Sequence, residues 1–192
     1  MCIRDRGDPW LADRVAALLE PLDVRRDQDW GLDHGTWSVL VHAYPAADIP
    51  VVQLAIDRRQ PPAYHYELGR RLAELRDEGV MVAGSGDVVH NLRAVRRDGE
   101  PHDWATRFND RVKAAIAMGD HAPLIDWAGL GEDARLSIPT DEHWLPLLYV
   151  LGAQGQDDEV TFFNDRVELG AISMLCAVIG APNPGGSGAT TG

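Results

Sequence analysis

The chain holds seven histidines, and three of them stand in settings that suit chemistry. His34 lies in "GLDHGTW" (31–37), between glycines and beside Asp33. His90 lies in "VAGSGDVVHNL" (82–92), shortly after Gly84-Ser85-Gly86. His143 lies in "PTDEHWLPLL" (139–148), behind Asp141 and Glu142. A neutral imidazole near pH 7 can accept a proton or bind a metal ion. Each setting also has a structural explanation. Asp33 or Thr36 can cap a following helix by accepting from its orphan N–H groups. Asp141 and Glu142 can complement the dipole of a helix that opens at Thr140. Gly84-Ser85-Gly86 offers a turn for phosphate, but it lacks the lysine of a P-loop and the third glycine of a dinucleotide fingerprint. Nor does Ser85 sit in the G-x-S-x-G setting of a hydrolase nucleophile.

The elements that must position these residues alternate between helical and strand patterns. Apolar spacing predicts helices over 9–22, 37–44, 64–79 (with Gly79 as its cap), 102–120 and 140–155. Nearly continuous apolar runs predict buried strands over 49–56 and 80–86, followed by 159–164 and 171–179. Such alternation implies an α/β layered fold, with helices flanking a largely buried central sheet. Ligands in such folds bind where loops leave the carboxyl ends of strands, which points to 82–92.

Bulk properties narrow the function. A length of 192 residues fits one domain with a substantial core. The net charge of -12 opposes a nonspecific grip on nucleic acid or on an anionic membrane, so neither is expected as a partner. Cys2 and Cys176 have no metal-ligand spacing and form no disulfide framework, which fits a reducing cytoplasm. The apolar stretch 169–180 is too short to span a membrane. "MCIRDR" (1–6) is no secretory signal and is expected to be a spurious or foreign start, whereas the Pro/Gly-rich 181–192 is expected to be a disordered tail. The domain proper is placed at 7–180.

Taken together, "GLDHGTW", "VMVAGSGDVVHNL", "PTDEHWLPLLYVLGA" and "ELGAISM" resemble the class III extradiol ring-cleaving dioxygenases of the LigB-like superfamily, in the branch typified by 4,5-DOPA dioxygenase. The match runs in order from about Gly7 to about Met174. This resemblance implies one non-haem divalent metal, iron(II) for turnover and often zinc in isolated protein. It implies that His143 is a metal ligand and that His90 is either a second ligand or the catalytic base. His34 would contact the substrate or its hydroxyl groups, with Asp33 orienting its ring. The implied reaction inserts O2 into a catechol-type, DOPA-like substrate and opens the ring to a muconic semialdehyde type of product.

The family pattern also begins with two strands that each end in a metal-binding histidine, and residues 1–33 supply neither. From this we expect an N-terminally truncated chain that lacks the first strands of the fold and is inactive by itself. His42, His65, His102 and His121 lie in or beside amphipathic helices, without a motif that would make them substitutes. A non-catalytic, MEMO-like binding module of the same superfamily is the alternative reading. The sequence leaves the particular catechol, the bond cleaved and the oligomeric state open.

Overall fold

The computed structural model describes residues 7–180 apart from Gln28. The expectations for 1–6 and 181–192 lie outside the described residues. Helices dominate, and most begin where the sequence supplies a start signal. Asp8 caps α1 (Pro9–Leu18), its carboxylate accepting from Leu11 N, with Pro9 in the first turn. Helix α2 (His34–Ala43) is capped by Asp33. The predicted helix over 64–79 is α3 (Pro62–Leu72) and the short α4 (Glu74–Asp77), closed by Gly79 at φ +78°. Helix α5 (Asp103–Ala117) follows the predicted 102–120 closely, and short helices α6 (Ala122–Ile125) and α7 (Glu132–Ser137) come next.

Helix α8 (Leu145–Gly152) is the hub of the packing. Its residues Leu145, Leu148 and Leu151 enter a core with Phe108, Val112 and Ile116 of α5, while Tyr149 enters a second core with Leu68 and Leu72 of α3. A helix that is apolar all round must be buried, and this one is. It crosses α3 backbone to backbone. A Cβ built at Gly152 would collide with Tyr66 O, and one at Gly69 with Tyr149 O. Only glycine lets two helices come so close.

The fold is mixed α/β, but its sheets are small. Strand β1 (Glu159–Phe163) pairs antiparallel with β4 (Cys176–Gly180), and β2 (Val167–Glu168) pairs with β3 (Ile172–Ser173). The single strand expected over 171–179 is therefore split into β3 and β4. No central buried sheet forms among the described residues, and the strands expected over 49–56 and 80–86 are absent. Their side chains still alternate as a strand's would. Leu54 and Ile56, then Val80 and Val82, pack against the α3 core at every second position. What they lack is a hydrogen-bonded ladder, and the ladder is what defines a strand. Among the described residues, no helix is long and apolar enough to cross a membrane.

Candidate metal centre

His90 and His143 meet in space, with their rings stacked at 3.7 Å between centroids. Each is held by a buried neighbour. Val88 and Val89 are core residues immediately before His90, and Trp144 is a core residue immediately after His143. The Trp144 indole donates to Leu124 O at 3.2 Å and its ring lies against Phe108. His90 N donates to Ser137 O at 2.9 Å, while Asn91 spans from Ala171 O to Leu136 O through its backbone and side-chain N–H groups. Ser173 N closes the cradle by donating to Val89 O. "HNL" and "ELGAISM" thus meet as two sides of one cradle, and His90 itself bridges to Ile172.

A third ligand-type residue joins them. Asp87, His90 and His143 each offer an atom, and these atoms all lie within 4.8 Å of one another. The Asp87 carboxylate comes within 3.7 Å of His143 Nδ1. All three side chains are half-buried. Burial pushes the Asp87 carboxyl up, and the charges of His90 and His143 pull it down. Burial, and then His90, hold His143 below the ordinary histidine value, opposed by Asp87 and Glu142; His34 adds a weaker downward push. His143 therefore keeps a free imidazole lone pair near neutrality, which a metal requires of it. Two imidazoles and one carboxylate are a donor set that suits non-haem iron(II) or zinc. The residues present fit such an ion.

Sequence reasoning missed Asp87. Its signal was the D-x-x-H spacing to His90, which says little until His143 is brought alongside.

Three expectations need correction. His143 is not in the first turn of a helix. It sits in a turn over 141–144, where Trp144 N and Leu145 N both donate to Asp141 O, and α8 starts only at Leu145. Thr140 does not cap that helix, because its hydroxyl donates to Glu142, which also pairs with Arg58 at 3.1 Å. Asp33 does not orient the His34 ring. One of its oxygens accepts from Thr36 N at 2.9 Å and the other from Gln53 Nε2 at 3.0 Å, so the helix cap is its structural task.

Gly84-Ser85-Gly86 has a packing task in the fold. A Cβ at Gly84 or Gly86 would collide with the carbonyl oxygen of Pro146 or His143, respectively. The turn is pressed against the entry to α8, and the Ser85 hydroxyl donates to Gly35 O at 2.6 Å. His34 is exposed at the start of α2, close enough for its charge to be felt at His143. Of the other histidines, His65 bonds the Tyr149 hydroxyl, His102 bonds Ala94 O, and His121 links Tyr66 to Gln154; His42 lies in the last turn of α2.

A mixed α/β scaffold that gathers two histidines and an aspartate beside a glycine turn has a clear family counterpart. The chain belongs to the LigB family, described as the catalytic LigB subunit of aromatic ring-opening dioxygenase, which matches residues 3–180. It is 49% identical over 180 residues to the 4,5-DOPA dioxygenase extradiol of Escherichia coli (strain K12), covering 91% of this chain and 66% of that protein. A second similar protein is the 4,5-DOPA dioxygenase extradiol of Beta vulgaris, at 34% identity over 87% of this chain and 64% of that protein. The chain thus spans about two thirds of the length of these curated relatives. Among solved structures, the crystal structure of uncharacterized protein JW3007 from Escherichia coli K12 superposes with a TM-score of 0.85 at 46% identity, covering 92% of this chain and 75% of that one.

Proposed function

We propose that the protein to which these residues belong is a metal-dependent extradiol dioxygenase, opening a catechol-type ring with O2. The observation that carries this reading is the convergence of Asp87, His90 and His143 in a chain of the LigB family. His143, His90 and Asp87 are the residues that would hold the ion, as iron(II) for turnover or zinc in isolated protein. When bound, iron(II) would supply a Lewis acid and an electron source that bring catecholate and O2 together.

The remaining steps fall to side chains. A catechol hydroxyl must lose its proton before the ring becomes electron-rich, and a neutral imidazole is a suited acceptor. His34, exposed at the start of α2, would contact the substrate and steady the charge that develops on its phenolic oxygen. His90 would take or return the proton where its ring does not hold the ion. The half-burial of Asp87, His90 and His143 strengthens every charge interaction made there. The relatives' name, 4,5-DOPA dioxygenase extradiol, supports a DOPA-like catechol as the substrate. It gives no support to a non-catalytic binding module.

The test is anaerobic loading of the full-length protein with iron(II), addition of L-DOPA, and admission of O2. A yellow product with one O2 consumed per ring opened is expected, and His143→Ala should abolish both. A loaded full-length protein that consumes no O2 with any simple catechol would overturn the proposal.

A further inference from the structure

On the reading above His34 must be held near His143, yet α2 has little to hold it. None of its ten residues is buried. Its start is instead tied down by polar contacts. Asp33 and Gln53 exchange two hydrogen bonds of 3.0 Å, backbone N to Oε1 and Nε2 to Oδ2. The Ser85 hydroxyl donates to Gly35 O, next to His34, at 2.6 Å.

Ser85 is itself well placed to serve as an anchor. Two residues on, Asp87 N donates to His143 O at 3.0 Å. The glycines on both sides of Ser85 lie flat against the carbonyls of Pro146 and His143, where no Cβ would fit. One three-residue step, 85–87, therefore grips the His143 backbone with one end and the His34 helix with the other. It also carries the Asp87 carboxylate, 3.7 Å from His143 Nδ1.

We propose that Ser85 is a positioning residue that sets His34 relative to His143, using its hydroxyl as the tie between the glycine turn and α2. This rests on the functional reading of His34 given above. Removing the hydroxyl leaves the Asp33–Gln53 pair as a hinge about which the start of α2 can swing. The imidazole then spends less time where the substrate oxygen lies. Loss of one neutral hydrogen bond corresponds to a factor of roughly three to ten.

Two measurements test it on the full-length protein, with Ser85→Ala and the hydroxyl-retaining Ser85→Thr. The first needs no turnover: hydrogen exchange of the 31–40 segment in metal-free protein. Ser85→Ala should exchange several-fold faster there and Ser85→Thr close to wild type, with zinc affinity by calorimetry unchanged in both. Unaltered exchange in Ser85→Ala would overturn the tie. The second is a double-mutant cycle on kcat/KM of the iron(II)-loaded enzyme. Ser85→Ala should cost about threefold to tenfold in the wild-type background and nothing further in His34→Ala, because the two then act as one unit. Equal losses in both backgrounds would show that Ser85 acts elsewhere. A His34→Ala enzyme with wild-type turnover would instead overturn the reading of His34 itself, whatever the exchange result.

Discussion

Gly86→Ala tests whether the turn at 84–86 holds the metal centre together. A Cβ at this position would collide with the His143 carbonyl oxygen, a backbone atom that cannot step aside without moving the His143 ring. The same oxygen accepts from Asp87 N at 3.0 Å, so displacement also strains that bond. Overpacking of this kind costs about 1–3 kcal/mol, and a lost hydrogen bond about 1 kcal/mol. With an unfolding entropy near 2.1 cal/mol/K per residue, a combined loss of about 2–4 kcal/mol lowers Tm by roughly 5–10 °C for a chain of this size. Metal affinity should fall as well, by about tenfold to a hundredfold, the usual cost of disturbing what orients a ligand. Scanning calorimetry of the metal-free protein and calorimetric titration with zinc measure the two effects. Gly31→Ala is the control, since nothing lies within 4 Å of a Cβ there; it should change stability by no more than about 0.5 kcal/mol. A Gly86→Ala protein with wild-type melting and zinc affinity would refute the claim that backbone contact at this turn fixes His143.

Other consequences follow from the same geometry. Asp87→Asn keeps the shape of the side chain but removes its charge, so zinc affinity should fall by about tenfold or more without a comparable loss of Tm; calorimetry separates the two. Arg76 donates twice to Asp158 (2.6 and 2.8 Å) and once to Ala153 O, and Asp158 is 9% exposed. Asp158→Asn should cost roughly 2–3 kcal/mol in urea unfolding at neutral pH, below the range for a fully buried pair. The Arg76 guanidinium holds the Asp158 carboxyl below its ordinary value. Its contribution is therefore complete above the usual carboxylate range and lost as pH falls through the depressed value, so the variant should lose less stability on acidification than wild type. Burial pushes His65 and His121 below the ordinary histidine value. The unfolded chain then binds more protons than the folded one just below about pH 6.5, and stability falls as pH drops through that point. His65→Gln, which can still bond the Tyr149 hydroxyl, should flatten the slope of stability between pH 7 and 5; an unchanged slope would exclude His65 as a contributor.

Features written locally were the ones legible in the sequence. Helices α1, α3 and α5 declare themselves because one face of each repeats at helical spacing and its ends carry proline, aspartate or glycine signals. Strand β1 reads correctly from its β-branched and aromatic run. The start of α8 was misplaced although its signal is present. Pro146 occupies the first turn of the helix, as proline favours, whereas Thr140, Asp141 and Glu142 look like an earlier start but form a turn. The segments 49–56 and 80–86 show the limit of the method. Their alternating side chains are real, but pairing into a ladder depends on which other backbone lies alongside, and no periodicity encodes that.

The candidate site divides in the same way. His34, His90 and His143 stand out because their motifs can be matched together, whereas Asp87 carries no signal of its own and Ser85 reads only as part of a phosphate turn or as a nucleophile. Asp87 acquires its place only from the nearness of His143, and Ser85 only from Gly35. The glycines on either side of Ser85 make the point most sharply. By local sequence they suggest a phosphate cradle, because glycine permits close approach of a ligand to the backbone. Here the group that approaches is the protein's own chain at the entry to α8. A glycine turn states only that something will come close; the identity of that partner belongs to the tertiary fold. Substitutions at Gly86 and Asp87 should therefore be felt first at His143, and those at Ser85 first at His34, on two elements far away in sequence, before they are felt within the turn itself.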